Sequence, residues 1–247
     1  MTNLSVNVNK IAWLRNARGE NRPNLLGLSE LLIDSGIQGI TVHPRPDLRH
    51  ITPDDVYELS LLCTKKSVEF NIEGNPFADA CGEYPGLIAL VQETVPDQCT
   101  LVPDSDSQLT SDHGFDLNQQ GDKLIPIINQ IKSMGVRVSL FLDPDLEQIK
   151  LASEVGAERI ELYTGPYAVA WGTEALETIF DQHLKAANLA TSLGLGVNAG
   201  HDLNLDNLAK FASIPNLLEV SIGHAFTVDS LNMGMIPTLR AYQTLLA

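Results

Sequence analysis

Apolar positions along the chain follow two alternating rhythms. Short runs that alternate with polar residues, or are rich in β-branched ones, occur at LSVNVN (4–9), GITVH (39–43), EFNIEG (69–74), CTLVP (99–103), RVSLFLD (137–143), RIELYT (159–164), LGVNAG (195–200) and LEVSIGHA (218–225). Each reads as a strand. Stretches of helical spacing or helix-forming composition lie between them, at 25–36, 53–66, 123–135, 145–156, 174–194 and 231–246. Several close on glycine, at Gly36, Gly135, Gly156 and Gly194, where a left-handed helix cap favours a residue without a side chain. Eight strands alternating with helices predict an α/β protein, a (β/α)8 TIM barrel, formed as one domain over residues 1–247. The competing doubly wound open sheet has no use for an eighth unit. One long polar insertion, DSDSQLTSDHGFDLNQQGD (104–122), is expected to be a mobile loop over a site.

Composition narrows this picture. Of the 247 residues, 44% are hydrophobic and only 6% aromatic, which suits a core of Val, Ile, Leu and Ala between helices and strands. No apolar run nears the roughly 18 residues of a membrane helix, and MTNLSVNVNK lacks the basic and apolar regions of an export signal. A soluble cytoplasmic protein without a membrane partner is expected. Cys63, Cys81 and Cys99 are too few and too scattered for a disulfide framework or a metal knuckle. A net charge of −15 argues against nucleic acid. Charge is unevenly spread, however: residues 1–50 carry six basic and four acidic side chains, the remainder ten and 27. A locally basic segment can still hold a small anion.

Barrel chemistry collects where strands end. Strand ends here bring Asn7, Asn9 and Lys10; His43 and Arg45; Asn71 and Glu73; Thr100 and Pro103; Asp143; Glu161 and Thr164; Asn198 and His201; and Gly223 with His224. Each has an ordinary reading beside the functional one. His43 could be a satisfied structural histidine, Glu73 an ion-pair partner, and Arg18 and Arg45 surface charges. NAGHD and SIGHA differ, because glycine-containing ends of the seventh and eighth strands suit a phosphate cradle near a helix N-terminus.

The ordered segments VNVNKIAWLRNARG, GITVHPRPDLRHI, FNIEG, TLVPD, VSLFLD, IELYTGPYA, LGVNAGHDL and IGHA resemble, nearly end to end, the pyridoxine 5′-phosphate synthase family of vitamin B6 biosynthesis. The resemblance implies a TIM barrel with extra helices, a homo-octamer and no cofactor. It implies condensation of 1-deoxy-D-xylulose 5-phosphate with 3-amino-2-oxopropyl phosphate to pyridoxine 5′-phosphate, phosphate and water. By position, proton transfer falls to His43, Glu73 and His201. Aminoketone-phosphate contacts fall on Asn7, Arg18, Asp202, Gly223 and His224, and pentulose-phosphate contacts on Asn9, Lys10, Arg45, His50 and Thr110. Three segments depart from the commoner pattern: Asn9-Lys10 replaces Asp-His, NAGHD replaces NAGHG, and VPDSD replaces VPEKR.

Pyridine-ring formation moves protons at each step, which two histidines and a buried glutamate can give and take. The substrate's own amine supplies the imine, so neither a lysine Schiff base nor a metal is required. Two other readings stand beside this one. His43, Glu73, His201 and His224 could ligate a metal in a sugar-phosphate barrel enzyme, or the chain could be a non-catalytic binder of pyridoxine phosphate. The retention of His43, Glu73 and His201 together counts against the second.

Overall fold

A computed structural model describes residues 2–105 and 108–247. Eight parallel strands close into a barrel in chain order: β1 (Asn3–Asn7), β2 (Gly39–Val42), β3 (Glu69–Gly74), β4 (Gln98–Leu101), β5 (Arg137–Leu142), β6 (Arg159–Tyr163), β7 (Gly196–Gly200) and β8 (Leu217–Ile222). β8 pairs with β1, Val6 opposite Ile222, so no strand edge is left open. Period two divides each strand. Residues such as Leu4, Val6, Ile40, Val42, Phe70, Ile72, Leu140 and Leu142 join the apolar layer between strands and helices. The intervening positions are largely polar, and they bond to one another inside the barrel, within a strand or between neighbouring strands. Ser5 meets Thr41 at 2.8 Å, Thr100 donates to Asn71 at 3.0 Å, Gln98 to Thr100 at 3.2 Å, and Asn198 to Glu219 at 3.3 Å. TIM-barrel interiors are usually filled with branched apolar residues; this one is filled with hydrogen bonds.

Helices cover the outside: α1 (Asn9–Asn16), α2 (Leu25–Asp34), α3 (Pro53–Lys66), α4 (Leu87–Thr94), α5 (Leu117–Ser133), α6 (Leu146–Glu154), α7 (Gly165–Ala170), α8 (Leu176–Ser192), α9 (Leu208–Phe211), α10 (His224–Met233) and α11 (Met235–Leu246). Three sequence expectations change. The first strand ends at Asn7, so Asn9 and Lys10 stand in the first turn of α1. The polar insertion ends at Asp116, whose side chain accepts from the Asn118 N–H and starts α5; Asp106 and Ser107 within it lie outside the described residues. The last helical segment is two helices, parted where Gly234 takes φ 88°. No helix among the described residues is long and apolar enough to cross a membrane.

Candidate active site

The loop after β2 carries HPRPDLRHI, and its anchoring starts from α3. Thr52 and Asp55 form a capping box, with Pro53 as the first helical residue. Asp55 also takes both terminal nitrogens of Arg15, at 2.5 and 2.8 Å, and Asn16 donates to the His50 carbonyl at 2.7 Å. α1 and α3 thereby hold the loop from both sides and aim His43, Arg45 and His50 over the barrel mouth.

There they line a cavity of about 460 Å³. Asn7, Asn9, Lys10, Glu73, Thr110, His201, Asp202, Gly223 and His224 share its wall, together with Glu161, named above only as a strand-end group, and with Trp13 and Phe141, which the sequence did not single out. Arg18 is absent from that wall; it is exposed in the turn after α1.

His43 and Glu73 form the deep side, at 5% and 8% exposure. His43 Nδ1 is 3.7 Å from Glu73 Oε2, and Nε2 is 3.6 Å from Asp104. Burial first, then Arg45, His50 and Arg49, hold the His43 imidazole well below its ordinary range. Burial, then Glu161, Asp104 and Glu219, hold Glu73 well above the usual carboxylate range, with Arg45 opposing. Both effects favour the neutral forms, so the empty pair offers a carboxylic acid beside an uncharged imidazole. Glu161, buried on β6, is likewise pushed up to about 7.

Asn9 does not leave its carbonyl free. That oxygen accepts the His43 backbone N–H at 2.9 Å, while the Asn7 side-chain oxygen accepts the Asn9 N–H at 3.0 Å. Beside them Lys10 is half-buried, its ammonium 4.3 Å from the centre of the Trp13 ring. Burial, then Arg49 and Arg45, lowers the Lys10 ammonium's affinity for its proton, and burial, then Arg49, lowers that of Arg45 against the opposing Asp104; an anion placed among these cations would relieve their repulsion. His50 is pushed down to about 3 by burial, then by Arg45, Arg49 and Lys10, and its Nδ1 accepts the Ile51 N–H at 2.9 Å. It can therefore offer a neutral Nε2–H donor.

Across the mouth, His201 is fixed at both nitrogens: Nδ1 lies 2.9 Å from Asp202 and Nε2 2.8 Å from Thr110. An ionised Asp202 only accepts, so Nδ1 carries the proton and Nε2 accepts from the Thr110 hydroxyl. The hydrogen bond to His201 holds the Asp202 carboxyl below its usual range. Both residues have left-handed backbones, φ 84° and 59°, a concentration of strain seen at functional sites. Gly223 follows β8 and caps α10 beside the end of β1; a Cβ there would lie 2.9 Å from the Asn7 Cβ. α10 then opens at His224 with no side-chain cap, so its first N–H groups face the mouth and favour an anion.

Comparison with known proteins then decides the family. The model of the family described as "Pyridoxal phosphate biosynthesis protein PdxJ" matches residues 4–247. The chain belongs to this family. It is 53% identical over 247 residues to pyridoxine 5′-phosphate synthase of Xanthomonas campestris pv. campestris (strain B100), covering 100% of this chain and 96% of that protein. It is 52% identical over 246 residues to the protein of that name from Xylella fastidiosa (strain M23), with 99% and 95% covered. Among solved structures it resembles thiamine phosphate pyrophosphorylase from Pyrococcus furiosus, with TM-score 0.61, 13% identity and 99% and 95% of the two chains covered. Mycobacterium tuberculosis tryptophan synthase gives TM-score 0.63, 12% identity and 99% and 91% coverage. At such identity these two likenesses concern the barrel alone. Within the PdxJ family member described here, no group of three or more His, Cys, Asp or Glu among the described residues is placed to hold a metal ion. His43, Glu73, His201 and His224 thus do not assemble as a ligand set.

Proposed function

We propose that the protein is a pyridoxine 5′-phosphate synthase, joining 1-deoxy-D-xylulose 5-phosphate to 3-amino-2-oxopropyl phosphate and releasing inorganic phosphate and water. The full-length match to relatives bearing that name carries the reading. The site's geometry agrees with it, because a basic cluster and an uncapped helix start offer separate anion sites on either side of His43, Glu73 and His201. Lys10, Arg45 and His50 bind the pentulose phosphate, and Gly223 with His224 bind the aminoketone phosphate. Glu73 and His43 form one proton-exchanging pair: a carboxylic acid that can give and an imidazole that can take, with the roles reversed after the first transfer. The Asp202-bound His201 can donate its Nδ1 proton only by breaking that bond, so its Nε2, once protonated, is the donor to departing phosphate or water.

The reading extends to a cytoplasmic octamer. Leu61, Val169 and Leu231, at 73, 81 and 76% exposure, offer apolar contact surface, and light scattering of the purified protein measures the assembly. The deciding experiment supplies both substrates and follows pyridoxine phosphate absorbance and free phosphate together. Absence of both products at substrate saturation sinks the proposal.

A further inference from the structure

Asp104 follows β4 and is 3% exposed. Its backbone carbonyl is fixed by the Asn75 amide at 2.7 Å. On its side chain, Oδ2 accepts from the Arg45 guanidinium and from Ser111 Oγ at 2.9 Å, and lies 3.6 Å from His43 Nε2. Oδ1 is buried and has no hydrogen-bond partner among the described residues. An ionised carboxylate offers about four acceptor positions, and Arg45 and Ser111 take two. Both bonds fall on Oδ2, so the spare acceptor capacity lies on Oδ1 of the carboxylate that stands 3.6 Å from His43 Nε2, while Glu73 stands 3.7 Å from the other nitrogen.

A neutral imidazole carries one N–H, and the partner of each nitrogen decides where it sits. Asp104, paired with the Arg45 guanidinium, presents acceptor oxygens rather than a proton at that side. Glu73 lies among other carboxyls and can give one. We propose that Asp104 is a positioning residue: by accepting Nε2–H it fixes the His43 tautomer whose bare Nδ1 faces Glu73. The assignment rests on the synthase reading for its catalytic meaning, but its geometry does not. When Nδ1 takes a proton from the Glu73 carboxyl or from substrate, the resulting imidazolium has the Asp104 carboxylate beside it, as in a base oriented by a third group. Separations of 3.6 and 3.7 Å exceed a formed hydrogen bond, and such contacts tighten when a site fills.

The alternative role, holding Arg45 alone, predicts different kinetics. Asp104→Asn keeps the size and one oxygen for Arg45 and Ser111 but removes the charge. It should lower kcat roughly 10²-fold or more with KM for each substrate unchanged, and Asp104→Glu should recover part of the loss. A raised KM for the pentulose phosphate with kcat intact overturns the proposal. Nitrogen-15 NMR of the histidines supplies a readout independent of turnover and of whether the variant folds. Resting wild-type protein should show His43 protonated at Nε2, and a proton on Nδ1 instead overturns the assignment. A wild type that makes no product would sink the synthase reading, while the tautomer would still decide the role of Asp104.

Discussion

The two ends of the barrel interior use the same residue types for different purposes. At the N-terminal end, Glu69 pairs with Arg137 and lies 3.8 Å from Arg159, Arg137 also donates to Gln98 at 3.0 Å, and Arg159 to Asn198 at 3.2 Å. Each charge there has a close partner. At the mouth, His43 stands between two carboxyls without a formed hydrogen bond to either, and among the described residues Lys10 has only an aromatic face. Paired charges at the base make structure; under-paired ones at the mouth leave capacity that substrates can use.

The sharpest way to break this comparison is Glu73→Gln. If the mouth is chemistry, kcat should fall about 10²- to 10⁴-fold, the usual contribution of a general acid or base, with thermal stability held, because Glu73 is already pushed toward its neutral form. Turnover at the wild-type rate would return Glu73 to the structural class. Next in size is Lys10→Ala, which removes a cation from the anion site. Its cost should show as KM for the pentulose phosphate, at about 1.5–3 kcal/mol for hydrogen bonds to charged groups. Steady-state kinetics with each substrate varied in turn tests this; a fall in kcat with KM constant would place Lys10 in the chemistry.

Much of this contrast was legible before the structure. Eight β-rich runs and the strand-end rule put His43, Glu73 and His201 among the groups at the mouth, because strand identity and direction fix which side chains reach it; the resemblance alone set these three apart for proton transfer. Three things were not. Asp104 is 61 residues from His43 in the chain, and nothing local reports their contact. The start of α5, LNQQGD, is polar because its first turns largely face solvent, so it read as loop. α1, α4, α7 and α9, with eight, eight, six and four residues, are too short to develop a clear helical period. Arg18 stands apart: resemblance assigns it to the site, and the end of α1 leaves it exposed outside the cavity wall.

A smaller effect is expected deeper in the barrel, where Glu219 tests how complete the pairing is. Burial, then Glu69, raises its carboxyl to about 8, with Arg159 opposing. A carboxyl raised in the folded state binds a proton that the unfolded chain has already released between about pH 4.3 and the folded value. Stability therefore falls as pH rises through that window and levels above about 8. Glu219→Gln should melt higher than wild type at pH 9, and the gain should shrink toward pH 5. A constant difference across that range would mean that Arg159 and Arg137 neutralise Glu219 after all.

The smallest expected change in stability belongs to Asp202→Gly, which sets backbone strain against a hydrogen bond at the mouth. A left-handed backbone costs L-residues roughly 1–2 kcal/mol, less for Asp, whose short polar side chain tolerates it. Glycine at φ 59° removes that cost, but it also removes the carboxylate that accepts from His201 Nδ1 at 2.9 Å, worth about 0.5–1.5 kcal/mol. The two terms nearly offset, so the melting temperature at pH 7 should move by no more than about 2–4 °C. Activity should not be neutral. Without Asp202 the His201 ring keeps its contacts with Thr110 and with the Tyr163 ring, 5.3 Å away, but loses the partner that fixes its tautomer. Substrate binding measured by calorimetry should persist while kcat falls. Unchanged kcat would show that Thr110 alone orients His201 and that Asp202 serves a different contact.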